Sequence, residues 1–533
     1  MKKFKRYVRL FFSRTFWVLL FLLIELLFIL GLQIFFRYIF DFYISKIENY
    51  NIHFIVSSAY LVTKIIVLVI EVLVYFKMVN KTEDPEFKIP WITTLLLLPI
   101  FASIMYLIFA NHGLRKKDQK IVDATRGMYD KYFIPTEAEE KQFENDLGNA
   151  IGTFNYLNSV THLGIHKNNK VTYYKNGEAF FPAFLEGLKK AKEFIFIEFF
   201  IIDDGIEWVN TLKILKEKAK EGLDIRLIYD DMGCVSTISE DTDVMLRNLG
   251  IKCYKFHPFK PLLSGIYNNR DHRKIVVIDH QMGFTGGINL ADEYANEITR
   301  FGYWKDTMVK IEGSGIQNLI ATFLQNYNLA SGEIDPHEEF LQYDKYETYE
   351  NEGYVMPFGD GPGGIDDALI GEQNYINILN YAKKSVYIST PYLIPTYQLT
   401  DAIRRAALRK VDVHLILPGI PDKKMVYKVA LANCKFLLDA GVKIHIYKPG
   451  FNHMKSMIAD GELAFVGTVN LDFRSLVHHF ECGTILYKNQ CMKEIEDDFK
   501  EMISVCEDMP LDFRLRGLNR FFCAIIRVFS SLL

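Results

Sequence analysis

Apolar residues are arranged along this chain in two textures. In residues 1–110 they form long runs, Phe16–Phe36, Phe54–Phe76 and Trp91–Phe109, the last with Pro99 inside it. Runs of this length fit helices that cross a bilayer, so residues 1–110 are expected to form a membrane anchor of two to three transmembrane helices. No small-residue cleavage site follows the first run, which therefore reads as an anchor and not as a cleaved signal peptide. Basic clusters stand at both ends: Lys2, Lys3, Lys5, Arg6, Arg9 and Arg14 before the runs, Arg115, Lys116, Lys117 and Lys120 after them. Both favour the cytoplasmic side. Three full crossings would separate them, so one run is re-entrant or interfacial, or one cluster is overruled. Glu25, Lys64 and Glu71 lie inside the runs, where charges usually pair or mark function. A Glu25–Lys64 pair across two helices is expected.

Beyond residue 110 the apolar stretches shorten. Residues 111–152 are polar and charged and read as a helical connector. Strand and helix then alternate: a strand over 170–174, a helix over 180–192, the buried strand 194–201, a helix over 208–221 and a strand over 224–231. The order recurs later, with a strand over 385–391, a helix over 399–409, a strand over 411–418, a helix around 427–440 and a strand over 443–447. Such alternation argues for an α/β layered architecture, and its recurrence argues for an internal duplication. The expected halves are 153–345 and 346–510. Residues 511–533 set Arg514, Arg516, Arg520 and Arg527 among Leu, Phe and Ile, the pattern of a basic amphipathic helix that lies on a membrane surface or docks on the second half.

Each half carries the same polar constellation. The first is His272, Lys274 and Asp279, followed by Gly286, Gly287 and Asn289. The second is His453, Lys455 and Asp460, followed by Gly467, Thr468 and Asn470, with the same internal spacings. A histidine and a lysine two apart project from one face of an extended strand. Ile275 to Ile278 is β-branched throughout and fits a strand buried on both faces. Imidazole, ammonium and carboxamide together suit phosphate chemistry: a nucleophile or proton carrier beside donors for phosphoryl oxygens. Repetition of four polar positions outweighs a pair of unrelated buried histidines.

This doubled motif resembles the HKD signature of the phospholipase D superfamily, and further phrases resemble bacterial cardiolipin synthases. Those phrases include Glu198-Phe199-Phe200-Ile201, Tyr229-Asp230-Asp231, Trp304-Lys305-Asp306-Thr307, Thr390-Pro391-Tyr392 and Asn470-Leu471-Asp472-Phe473-Arg474-Ser475. The resemblance implies an α/β fold of duplicated phospholipase D-like domains, mixed sheets flanked by helices about a pseudo-two-fold, preceded by N-terminal transmembrane helices. It implies phosphatidyl transfer between two phosphatidylglycerol molecules through a phosphohistidine, with His272 as nucleophile and His453 as acid and base. Lys274, Lys455, Asn289 and Asn470 would neutralise the phosphate, and Asp279 and Asp460 would orient the rings. Glu293, Glu481 and Ser475 are further candidates for the substrate-binding site. No metal and no cofactor is expected. The implied setting is the cell membrane, multi-pass, with the site at the membrane interface and weakly on the cytoplasmic side. The implied partners are phosphatidylglycerol and anionic membrane lipid, with a homo-oligomer left open. Another phosphatidyltransferase or a lipid-hydrolysing phospholipase D is the alternative.

Composition narrows the field. The formal net charge of −3 lacks the strongly basic balance of a protein that coats nucleic acid, so no nucleic-acid partner is expected and a nuclease of the same superfamily is disfavoured. The seven cysteines form no C-x-x-C pair and read as unpaired buried thiols.

Overall fold

The computed structural model describes residues 50–81, 85–110, 113–258, 268–350, 353–362 and 369–529, together with Phe42. The first apolar run lies outside these residues, and with it Glu25 of the expected Glu25–Lys64 pair. The chain divides into two compact units, 1–111 and 112–533.

In the first unit the second apolar run is one helix, Tyr50–Asn80. Its stretch Phe54–Asn80 is long and apolar enough to cross a membrane. The third run departs from the expected single helix. It forms two, Pro85–Leu97 and Pro99–Phe109. Leu98 between them leaves the helical region, with φ −139° and ψ 71°, because the ring of Pro99 disfavours a helical conformation at the preceding residue. Neither piece alone reaches the roughly 20 residues of a bilayer span. Met78, Trp91, Ala102, Met105 and Tyr106 bury the contact among the three helices.

The second unit holds two mixed sheets whose strands follow one plan. In the first, the spatial order is Lys170–Tyr174, Met308–Glu312, Met282–Gly286, Lys274–Ile278, Phe194–Phe199, Asp224–Asp230 and Lys252–Phe256. The second repeats it as Tyr354–Asp360, Glu481–Tyr487, Leu463–Gly467, Ser456–Ala459, Ser385–Ser389, Asp412–Pro418 and Lys443–Tyr447. It gains an edge strand at each side, His166–Lys167 and Cys506–Asp508. In both sheets the last three strands of the repeated order run parallel and the rest pair antiparallel. The parallel strands are the ones the sequence separates by helices, because parallel neighbours need a crossover connection.

The helix Ile316–Ser331 is buried along most of its length. It contributes Phe323 to a stack on Phe196, centroids 4.6 Å apart. The motif strand Lys274–Ile278 is buried at every position, which explains its unbroken β-branched sequence. All seven cysteines are free, and six of them are buried.

Candidate functional site

The two halves meet through the residues that precede each motif. His272 donates its backbone N–H to Phe480 of the second half at 2.8 Å, and Phe480 donates back to the Arg270 carbonyl at 2.8 Å. The reciprocal contact is a parallel pairing of Gly450–Asn452 with Tyr303–Lys305 of the first half. There the His453 N–H donates to the Lys305 carbonyl at 2.7 Å. Each histidine is therefore fixed by backbone from the opposite half.

The side chains obey the same exchange. His272 Nδ1 lies 2.8 Å from Glu481 Oε2, and His453 Nδ1 lies 2.6 Å from Asp306 Oδ2. Both carboxylates are almost wholly buried, as are Lys274 and Lys455. With Nδ1 engaged, Nε2 remains as the nitrogen that a substrate can use. Lys274 Nζ donates to the His272 carbonyl at 2.5 Å, and Lys455 does the same to His453. Lys455 Nζ also lies 3.8 Å from Asp306.

This geometry corrects the expected role of Asp279 and Asp460. Neither touches an imidazole. Asp279 accepts the backbone N–H groups of Lys192, Glu193 and Phe194, each at 2.9 Å. Asp460 accepts those of Lys383, Lys384 and Ser385 at 2.8, 2.8 and 2.9 Å. Both stand at the far end of the motif strand with φ of 50° and 56°. There they satisfy the donors that open the neighbouring strand. A five-residue strand is about 16 Å long, so the imidazoles are beyond their reach. Glu481 and Asp306 do the orienting.

Glycine chemistry supports the same assignment. A Cβ on Gly287 would lie 2.0 Å from Asp306 Oδ1, so only glycine leaves room for that carboxylate. The matching position in the second half is Thr468, whose hydroxyl donates to Glu481. Ser475 Oγ donates to the other Glu481 oxygen at 2.5 Å and accepts from the Asn470 backbone N–H. Asn470 leaves its side-chain carbonyl without a partner among the described residues. Asn289 uses its carboxamide structurally, accepting from Ile201 N–H at 3.1 Å and donating to Tyr294 at 2.6 Å. Glu293 pairs with Arg300 at 2.9 Å and stands apart from the histidine–carboxylate set.

Asp306 escapes a motif reading because it follows the histidine of its own half, His272, by a spacing different from that of Glu481 after His453, and partners the histidine of the other half. The available signal was a carboxylate trailing each motif on the strand order of its own half. Lys423 was also missed. It lies 4.9 Å over the Tyr392 ring, and its charge bears on both imidazoles. His479 is a third ring at the site, 5.4 Å from His272.

Burial dominates the electrostatics. It pushes both motif imidazoles well below the usual histidine range, with the neighbouring lysines adding to the effect. Burial lowers Lys274 to about 8 and Lys455 to about 7, and raises Asp306 to about 6. Three protonatable groups, Lys274, Lys455 and Asp306, thus lie where a proton can move near neutral pH. Among the described residues, His272, His479 and Glu481 are the group with metal-ligand chemistry, their donor atoms within 4.8 Å. Glu481 accepts from His272, Thr468 and Ser475, so the hydrogen bonds of this carboxylate hold the His272 ring in place.

Comparison with known proteins agrees with this architecture. A family model described as "Cardiolipin synthase, PLD-like domain" matches residues 184–323 and 375–503. An uncharacterized protein of Streptococcus mutans is 42% identical over 428 residues, covering 80% of this chain and 92% of its own. "Cardiolipin synthase 2" of Bacillus anthracis is 33% identical over 443 residues, covering 83% of this chain and 85% of its own. Among solved structures, the phosphatidylserine synthase of Haemophilus influenzae shares the fold, with TM-score 0.56 at 14% identity over 72% of this chain and 99% of that one. Doubled motifs, crossed dyads and these matches together mean that the chain belongs to the cardiolipin synthase, phospholipase D-like family.

Proposed function

We propose that this chain joins two phosphatidylglycerol molecules into cardiolipin and releases glycerol. One observation carries the reading: two buried histidine–carboxylate dyads, each completed by the opposite half and each backed by a lysine. Two dyads suit a double displacement at one phosphorus. In the first step His272 Nε2 attacks, a P–N bond forms, and the P–O bond to glycerol breaks as protonated His453 gives its proton to the leaving oxygen. In the second, the hydroxyl of another phosphatidylglycerol gives its proton to His453 while its oxygen attacks phosphorus and frees His272. Lys274 and Lys455 neutralise the phosphoryl oxygens in a dry site, where such charges count most. The arriving phosphodiester anion favours the protonated imidazole that burial otherwise opposes.

Asn470 and Lys423 are the remaining donors for the two lipid headgroups. The names of the relatives support the substrate pair, and the apolar helix Tyr50–Asn80 supports a membrane setting. We place the enzyme in the cell membrane as a multi-pass protein with its site at the cytoplasmic interface. The test uses purified full-length protein in detergent micelles with labelled phosphatidylglycerol and no added nucleotide or metal. Cardiolipin and free glycerol are expected, both lost in His272→Ala and in His453→Ala. Phosphatidic acid as the sole product would make the enzyme a hydrolase instead.

A further inference from the structure

The C-terminal helix Gly517–Val528 lies on the second-half helix Lys424–Leu438. Its buried residue is Cys523, whose thiol faces the Lys428 carbonyl at 3.6 Å. Leu518, Phe521, Phe522 and Ile525 are exposed, Leu518 to 74% and Phe521 to 61%. A contiguous face of this kind marks an interaction surface. Beside it, between the two helices, lies a cleft of about 530 Å³.

The cleft has two kinds of wall. Leu431, Phe436, Phe513 and Ala524 are apolar, while Arg520 and Arg527 bring positive charge. Two further cations at its edge, Arg514 and Lys435, are compensated by one carboxylate, Asp439, at 2.7 and 2.5 Å. Arg527 lies 4.8 Å over the Phe436 ring. Arg520 is exposed and meets no carboxylate among the described residues.

We propose that this cleft binds one anionic phospholipid as a ligand and not as a substrate, its phosphate on Arg520 and the start of an acyl chain against Phe436, Phe513 and Ala524. A soluble anion would use the arginines and leave the apolar wall wet. A zwitterionic lipid would cover the wall and leave the surplus charge unmatched. The volume is in the roughly 300–1,000 Å³ range of small-molecule sites, too small for both acyl chains, which continue over the exposed face of Leu518, Phe521 and Ile525. Arginine beside aromatic and aliphatic residues on a tail helix suits an anionic leaflet. The partner helix begins after Lys423, at the reaction centre, and ends about 22 Å away at the cleft. A lipid held there fixes the second half against the leaflet that supplies the substrates.

The test places full-length protein in phosphatidylcholine vesicles with a trace of phosphatidylglycerol bearing a photoreactive acyl chain. Cross-linked peptides are mapped by mass spectrometry. Labelling is expected on Phe513–Val528 and on Leu431–Phe436, competed by unlabelled phosphatidylglycerol and not by phosphatidylcholine. Arg520→Gln removes one cationic contact and should raise the competing concentration about fivefold. Ala524→Trp, which fills the cleft, should abolish the labelling, and the surface variant Arg520→Gln keeps the test valid if that protein fails to fold. His272→Ala should label at this site as the native protein does, which separates the ligand site from the reaction centre even if the proposed transfer reaction is wrong. Labelling that survives Arg520→Gln undiminished, or that phosphatidylcholine competes equally, overturns the proposal.

Discussion

Replacing Asp306 with Asn tests the crossed dyads directly. Asp306 accepts from His453 through Oδ2 and from the Thr307 N–H through Oδ1 at 2.8 Å. An amide can serve only one of these donors. If its oxygen stays on Thr307, its NH₂ faces Nδ1 and drives the imidazole proton to Nε2, the nitrogen that must accept one. If the oxygen turns to His453, two N–H groups oppose each other at Thr307. A hydrogen bond to a charged acceptor is worth about 1.5–3 kcal/mol, so kcat should fall about 10- to 100-fold. Asp306 also opposes the burial that lowers Lys455, so the alkaline limb of kcat/KM should move to lower pH in the variant. Asp279→Asn supplies the contrast. It loses the Lys192 N–H bond and sets two donors against each other, costing about 1–3 kcal/mol of stability. Its distance from the imidazoles should keep kcat of the folded enzyme within about twofold. The assays are initial rates of cardiolipin formation at several pH values and thermal unfolding in detergent. A kcat loss in Asp279→Asn equal to that of Asp306→Asn, without a fall in unfolding temperature, would refute the assignment of the orienting carboxylates.

Gly287→Ala should reproduce the catalytic loss of Asp306→Asn, because the new methyl lies 2.0 Å from that carboxylate; native kcat in the variant would show that Asp306 has slack. The pH profile of kcat/KM should be a bell. Protonation of Asp306 below about 6 removes the His453 acceptor, and deprotonation of Lys455 and Lys274 above about 7 and 8 removes the phosphate's counter-charges. A profile flat from pH 5 to 9 would contradict this electrostatic picture, given groups at about 6 to 8. Asp230→Ala strips the partner of Arg270 in a buried pair 2.8 Å long. It should destabilise the enzyme by about 3–5 kcal/mol, read as a lower denaturation midpoint.

Sequence by itself determined the recurring alternation of strands and helices along the chain, because strands buried on both faces write continuous β-branched runs such as Ile275 to Ile278. It also determined which histidines and lysines share a strand face, since a spacing of two is enough to place His272 with Lys274 and His453 with Lys455. Pairings that depend on two distant segments had no such local signature. Asp279 keeps a fixed spacing from His272 and so looks like its partner, yet that spacing carries it along the strand to the opposite end. Asp306 and Glu481 reach the imidazoles only because the halves pair backbone across their boundary, at Tyr303–Lys305 with Gly450–Asn452 and at Phe480 with Arg270 and His272. The break at Leu98 was legible as Pro99 but overridden by the length of the apolar run around it. Hydropathy records where a residue is comfortable, whereas the ring of Pro99 decides the backbone conformation of Leu98 before it. Local chemistry is thus fixed by neighbours in sequence, and the reaction centre by neighbours that only folding supplies.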